Sequence, residues 1–230
     1  MDGVIQIDSY AYDANGNQLS RISEALHPGV GLGIGFMGFG GEYIVYGYSS
    51  LNLQISAVVD GDRTEYTYRP NGMRLSKDDV THVWDGSNIC AELDGSGAVV
   101  DRFVRGIGLI MSDSQGFYSY NAHGDVVQIT NDQGVVLREY GYDAFGVEKD
   151  IDENDSNPWR YCGEYYDKET DTVYLRFRSY DPKTGRFTSE DPIRDGLNWY
   201  TYCGGNPLRF FDPSGLVAVD VEEYRRDLYL

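Results

Sequence analysis

An all-β architecture, a curved sheet of antiparallel hairpins, is expected from three features of this chain. The first is composition. The 230 residues include 28 Gly and 20 Tyr but only 7 Pro, a mixture that disfavours helices and suits turn-rich strands. The second is the near absence of helical periodicity. Short runs of β-branched and aromatic residues recur instead, each ended by Gly, Asn or Asp. The third is a degenerate repeat: an aromatic residue, Asp, two or more turn residues, Gly, then an apolar residue. Units of this kind cannot bury a face alone, so neighbours must stack.

The repeat first appears as Tyr12-Asp13-Ala14-Asn15-Gly16-Asn17-Gln18-Leu19. It returns as Tyr68-Arg69-Pro70-Asn71-Gly72-Met73-Arg74-Leu75, as Tyr120-Asn121-Ala122-His123-Gly124-Asp125 and as Tyr142-Asp143-Ala144-Phe145-Gly146, with a looser copy at Trp84-Asp85-Gly86. In each, the aromatic residue ends a strand, the Asp caps the turn and the Gly permits the reversal. Strands are expected at Glu65–Tyr68, Val99–Val104, Asp125–Thr130 and Val135–Tyr140. Val173–Tyr180 reads as one further strand, with Tyr174, Arg176, Arg178 and Tyr180 on one face and Leu175 and Phe177 on the other. One short helix is expected near Asn198–Tyr202. The tail, Val217 to Leu230, holds about one more, capped by Asp220 with Glu223 as its partner. The segment Gly29–Gly41 alternates Gly with apolar residues. It is too short and too rich in Gly to cross a membrane as a helix, and reads as an insertion between strands.

The formal net charge is −18. A surface so acidic repels phosphate, which argues against a nucleic-acid partner and against anionic membranes. Met1-Asp2-Gly3-Val4 carries an acid where a secretory signal needs a basic region, so no signal peptide is expected in this chain. Cys90, Cys162 and Cys203 are odd in number and far apart. They support neither a disulfide framework nor a CxxC metal site and read as small buried hydrophobes. Gly33-Ile34-Gly35-Phe36-Met37-Gly38 matches GxGxxG, but no strand precedes it and no helix can follow, so the dinucleotide reading fails. His27, His82 and His123 have no second ligand at metal spacing and no clear cysteine partner. They read as turn or surface residues. No cofactor and no metal is expected.

Toward the C-terminus a series of motifs occurs in fixed order. Arg160-Tyr161-Cys162-Gly163-Glu164-Tyr165-Tyr166-Asp167 is followed by Tyr174-Leu175-Arg176-Phe177-Arg178-Ser179-Tyr180-Asp181-Pro182-Lys183-Thr184-Gly185-Arg186-Phe187. Then come Ser189-Glu190-Asp191-Pro192, Gly196-Leu197-Asn198-Trp199-Tyr200, Asn206-Pro207 and Asp212-Pro213-Ser214-Gly215-Leu216. With the Tyr-Asp repeats, these resemble the RHS (YD-repeat) family and its repeat-associated core domain. The likeness runs from about Tyr43 to Leu216. It implies a degenerate N-terminal repeat and Gly-rich insertion over 1–41, a YD-repeat hairpin array over 42–160, the core domain over 161–216 and a short tail, the stump of a variable region, over 217–230. In the family such a sheet winds into a hollow shell, and the core plugs one end. This chain has too few repeats to close a shell, so a partial RHS shell is expected.

Taken alone, Asp191-Pro192 and Asp212-Pro213-Ser214-Gly215 are ordinary turn openers. The resemblance gives them more. In toxin-carrying RHS proteins the core is an intramolecular aspartyl protease that cuts just after a DPxGL motif. By that pattern Asp191 and Asp212 are the acids, Arg178 supports them, and the scissile bond is Leu216–Val217. Of the two arginines read on one strand face, either both make ordinary salt bridges or Arg178 faces the acids while Arg176 is structural. Two close carboxyls cannot both ionise cheaply, so one keeps a proton. The ionised one activates a water and the protonated one polarises the carbonyl. Asp212 lies four residues before Leu216, which an extended chain would place about 13 Å away. The Pro-Ser-Gly turn must fold it back.

Two functions follow. The first is a shell-forming scaffold, the C-terminal fragment of a polymorphic-toxin-type protein, whose core is a single-turnover autoprotease. Its partners would be a C-terminal toxin domain absent from this chain, or the rest of an RHS shell. The second is a cell-surface or wall-associated interaction module that binds carbohydrate or protein without catalysis. Either would be secreted or surface-displayed as part of a larger system. Unpaired strand edges would favour self-association.

Overall fold

In the computed structural model, which describes residues 5–26 and 42–228, thirteen strands form one antiparallel sheet in sequence order. It runs from Ile5–Tyr12 to Val136–Glu139, each strand pairing with the next, and its two end strands do not meet. The sheet is therefore an open meander, as the repeat predicts. The Gly-rich segment 29–41, its GxGxxG match and His27 lie outside the described residues.

One turn geometry explains the repeat. At Asp13–Asn17, Arg69–Met73, Asp94–Ala98, Asn121–Asp125, Asn131–Val135 and Asp143–Val147, the first residue's N–H donates to the fifth residue's carbonyl. The fourth residue's N–H donates back to the first carbonyl. That fourth residue is Gly every time, with φ between +77° and +102°, a region a Cβ disfavours. At Ser49–Leu53, Asn52 takes its place at φ +58°. Where the first residue is Asp or Asn, its Oδ1 also accepts the N–H groups two and four residues on. The strand register slips by one residue beside these turns, the bulge expected of a three-residue hairpin loop with Gly in the left-handed position. The tyrosine before the turn does more than pack. Tyr68 and Tyr120 donate their hydroxyls to the carbonyls of Gln54 and Leu109 at 2.6 Å.

Successive turns alternate between two rims of the sheet, and the C-terminal third packs across the sheet and catches several turns of one rim. Gln18 N–H donates to Thr188 O at 2.8 Å, Arg176 Nε to Ser87 O at 3.0 Å and Cys162 N–H to Asp125 Oδ1 at 3.0 Å. The docked part holds a four-stranded sheet (Tyr165–Asp167, Thr172–Leu175, Arg178–Asp181, Arg186–Phe187), a two-stranded ribbon (Phe210–Phe211, Val219–Asp220) and a helix, Val221–Leu228. The main core joins both parts: Ile89, Phe103, Leu109, Tyr118, Val126 and Ile129 from the sheet pack with Trp159, Tyr165 and Tyr174.

The tail helix forms where expected, with Asp220 Oδ1 accepting Glu222 N–H at 2.9 Å and Glu223 N–H at 3.2 Å. Two local expectations are corrected. The short helix expected near Asn198–Tyr202 is a single tight turn at Tyr202–Gly205, because Cys203 and Gly204 take positive φ and stop any regular helix. Val173–Tyr180 is not one strand but a hairpin. The chain reverses at Arg176, whose φ is +61°, and Phe177 N–H donates to Leu175 O at 2.8 Å. Leu175 pairs with Arg178 and Val173 with Tyr180, so Arg178 and Tyr180 share a face with Val173 and Leu175. Tyr174 faces away, and Arg176 stands at the tip.

Candidate active site

The reversal at Arg176 positions the site. A non-Gly residue at positive φ is strained, and here it is held from three sides. Arg176 Nε reaches Ser87 O, and its Nη1 bonds the Glu164 carboxylate and Pro213 O. Phe177 N–H donates to Ser214 O at 3.2 Å. The hairpin tip and the Asp212-Pro213-Ser214-Gly215-Leu216 turn are thus clasped together.

Asp212 organises that turn from within. Its Oδ1 accepts Gly215 N–H at 2.8 Å, Ser214 N–H at 3.0 Å, Ser214 Oγ–H at 3.1 Å and Leu216 N–H at 3.2 Å. The chain folds back as the sequence requires. Arg178, the residue after the hairpin tip, then bridges everything. Its Nη2 is 3.8 Å from Asp191 Oδ2 and 3.8 Å from Asp212 Oδ2. Neither carboxylate oxygen can therefore lie farther from the other than twice that distance. Arg178 Nε donates to Gly215 O and Nη1 to Trp199 O at 2.9 Å, and the guanidinium lies 3.5 Å from the Phe187 ring centroid. All three side chains are at least 94% buried. Burial pulls the Arg178 guanidinium below its usual pKa, against the two carboxylates that hold it up. Burial also pushes the neighbouring Cys203 thiol up to about 12. Arg178, Asp191 and Asp212 are thus brought together, with Leu216 closing the Asp212 turn and Val217 directly after it. Arg176 sits beside the group and touches neither Asp.

Gly215 is the close contact. A Cβ there would lie 2.6 Å from Leu175 O and 3.0 Å from Arg178 N, at a backbone φ of +74°. Both are backbone atoms that cannot turn aside. Gly215→Ala is expected to cost about 1–3 kcal/mol, read by urea denaturation. A loss below about 0.5 kcal/mol, the scale of an ordinary surface substitution, would show that the turn does not sit this tightly.

A second cluster was not visible in the sequence. His123, Asp125 and Cys162 place one donor atom each within 4.8 Å of one another. His123 lies in the Asn121–Asp125 turn, as expected of a turn residue, but its side chain is mostly buried. Its Nδ1 is 2.9 Å from Asp125 Oδ1 and 3.8 Å from Cys162 Sγ. Burial lowers the His123 pKa, but Asp125 more than offsets this and leaves it raised. Burial and then Asp125 push the Cys162 thiol well up, so it stays protonated. Asp125 Oδ1 also takes Cys162 N–H, and Oδ2 takes the Asn121 amide. The cluster pins a rim turn to the core, and the three donors could close on a cation only if the thiol lost its proton. The other histidine, His82, is fully buried between Trp84 and Tyr165, and burial holds its pKa well down. It too is no surface residue. Of the cysteines, Cys203 is buried, while Cys90 and Cys162 are partly exposed.

Comparison with known proteins identifies the family and the fold. The model of the teneurin YD-shell family matches residues 105–208. WapA of Bacillus spizizenii, a tRNA3(Ser)-specific nuclease, is 32% identical over 225 residues, which cover 90% of this chain and 9% of that protein. The toxin protein Tse5 of Pseudomonas aeruginosa is 29% identical over 103 residues, 44% of this chain and 8% of its own length. This chain thus spans less than a tenth of either relative. Among solved structures, TcdB2-TccC3 has the same fold, with a TM-score of 0.58 and 18% identity over 92% of this chain and 14% of that one.

Proposed function

Because the chain belongs to the RHS family of YD-repeat proteins, we propose that it forms part of a shell wall together with the plug that closes it, and that the plug cuts its own chain once, between Leu216 and Val217. The observation that carries the reading is the position of Arg178. One guanidinium stands equally close to Asp191 and Asp212 and also grips the carbonyl of Gly215, one peptide before the proposed cut. The packing of the C-terminal third against the sheet supports the plug.

One cation against two carboxyls suits a site that holds one proton. Asp212 Oδ1 and Asp191 Oδ1 are each committed to a turn, which leaves the two Oδ2 atoms, both beside Arg178 Nη2, for chemistry. In the proposed step the ionised carboxylate takes a proton from water as its oxygen bonds the Leu216 carbonyl carbon. The protonated carboxyl donates to the carbonyl oxygen. The tetrahedral diol then collapses: the carboxyl that took the water proton passes it to the Val217 nitrogen and the C–N bond breaks. One hydroxyl of the diol returns its proton to the other carboxylate as the Leu216 carboxylic acid forms, restoring one proton to the pair. Buried Arg178 supports the charge that develops on oxygen. A reaction of this kind occurs once, in cis. A toxin domain following the cut, and export as part of a larger assembly, belong to the same proposal.

Two arginine variants separate chemistry from scaffolding. Arg178→Lys keeps the charge but loses the planar fork that spans both acids and Gly215 O. Appearance of the peptide beginning at Val217 should slow by at least tenfold, with the fold retained by circular dichroism. Arg176→Lys should lower stability more than rate, because its contacts hold the hairpin tip. Equal rates for Arg178→Lys and wild type would remove Arg178 from the mechanism.

A further inference from the structure

A cavity of about 790 Å³ lies between the docking rim and the core. Leu109, Tyr120, Phe177, Phe211 and Tyr224 supply apolar wall, and Arg105 is a polar element of the lining. Arg105, a half-buried residue, differs from the buried arginines. Arg21, Arg74, Arg160 and Arg178 are each ion-paired with a carboxylate. Among the described residues Arg105 has no such partner. Its Nε donates to Ile89 O at 3.1 Å and its guanidinium carbon lies 4.3 Å from the Trp159 ring centroid. Its Nη2 is buried with no hydrogen-bond partner. The carboxylate in the same wall, Glu164, is bound to Arg176, so two guanidinia share one acid.

A buried cationic donor left unpaired is costly, and burial draws the Arg105 pKa down accordingly. In a chain of net charge −18 an anion can be held only where cations locally outnumber acids, as here. The volume falls within the range of sites for small ligands or inserted side chains. We propose that this cavity binds a ligand joining a carboxylate-type anion to an apolar or aromatic body, with the anion on Arg105 and the body against Phe177 and Phe211. The source of that chemistry is either a free organic acid or an acidic segment of a polypeptide. The proposal does not depend on chain cleavage.

The test uses two fluorescent probes with the same aromatic body. 8-Anilinonaphthalene-1-sulfonate carries an anion and N-phenyl-1-naphthylamine does not. The anionic probe should bind one-to-one and at least tenfold more tightly than the neutral one. Arg105→Met should weaken the anionic probe at least tenfold and leave the neutral one within twofold. Ile107→Glu, at an exposed position of the same lining, should do the same without disturbing Arg105 packing. Anionic binding unchanged in both variants, or equal loss of both probes, would overturn the proposal. Displacement by 3-phenylpropionate identifies a free acid as sufficient. Displacement only by an acetylated Glu-Phe-Glu amide identifies a polypeptide segment. Displacement by neither overturns it.

Discussion

Purified Asp191→Asn protein should be full-length by intact-mass spectrometry, whereas wild-type protein should yield a peptide that begins at Val217. The substitution keeps the shape and the acceptor that takes Ile193 N–H at 3.0 Å, so the local turn is preserved. It removes the group that must gain and lose a proton, which is worth about 10²–10⁴ in rate for general acid–base catalysis. A matched control comes from the repeats. Asp143 caps a YD turn, and at the corresponding place in two other turns the chain itself uses Asn121 and Asn131. Asp143→Asn should therefore leave cleavage unchanged. An uncut wild-type chain would end the autoprotease reading for this chain, and binding of that intact chain to a cell-wall fraction would favour the interaction module instead.

The second large effect is on stability. Asp167 takes two bonds from Arg74 Nη1, at 2.7 and 2.9 Å, and one from Lys77 Nζ at 3.3 Å. Arg74 and Asp167 are both 1% exposed, and the Arg74 guanidinium carbon lies 4.1 Å from the Tyr174 ring centroid. Arg74 and Lys77 belong to a sheet strand and Asp167 to the docked core, so the pair is a bolt between them. Asp167→Asn leaves a buried guanidinium without its countercharge and should cost about 3–5 kcal/mol in urea denaturation. Replacing both members, Arg74→Met with Asp167→Leu, should recover much of that loss, because the desolvation penalty disappears with the charges. A loss under about 1 kcal/mol in the single variant would show that the pair does not hold the halves together. The acid dependence follows. Burial raises the Asp167 pKa, but Arg74 and Lys77 more than offset it, and the carboxyl sits below its usual value. Its contribution is present above the unfolded pKa of about 3.9 and is lost as pH falls through the lower folded value. Wild type should therefore lose stability below about pH 4, and Asp167→Asn should lose less over that range.

What the sequence made legible was the local chemistry. An Asp or Asn opening a turn and a Gly three residues on act within five residues, so the meander could be read directly. Asp191, Asp212 and Arg178 were found through the order of their motifs, and their meeting needs the Pro-Ser-Gly fold-back that the spacing already demanded. The hairpin at Arg176 was hidden because Arg-Phe carries no turn signature. Its geometry is imposed by Ser87, Glu164, Pro213 and Ser214, all distant in sequence. The His123–Asp125–Cys162 cluster and the Arg105 cavity were hidden for the same reason. Each forms only where a rim turn meets the core, and no spacing rule reports such a meeting.

The alternation of turns between the two rims sets a parity rule. The contacts to Arg176 and Cys162 come from turns of one rim, and every strand added to or removed from the meander reverses the side on which all later turns fall. Changing the sheet by a single strand would carry Ser87, Asn121 and Asp125 away from Arg176 and Cys162. Changing it by two would return them to the same side. Functional variants of this sheet, natural or engineered, should therefore differ by even numbers of strands. The smallest unit that can be inserted without undocking the plug is a whole hairpin.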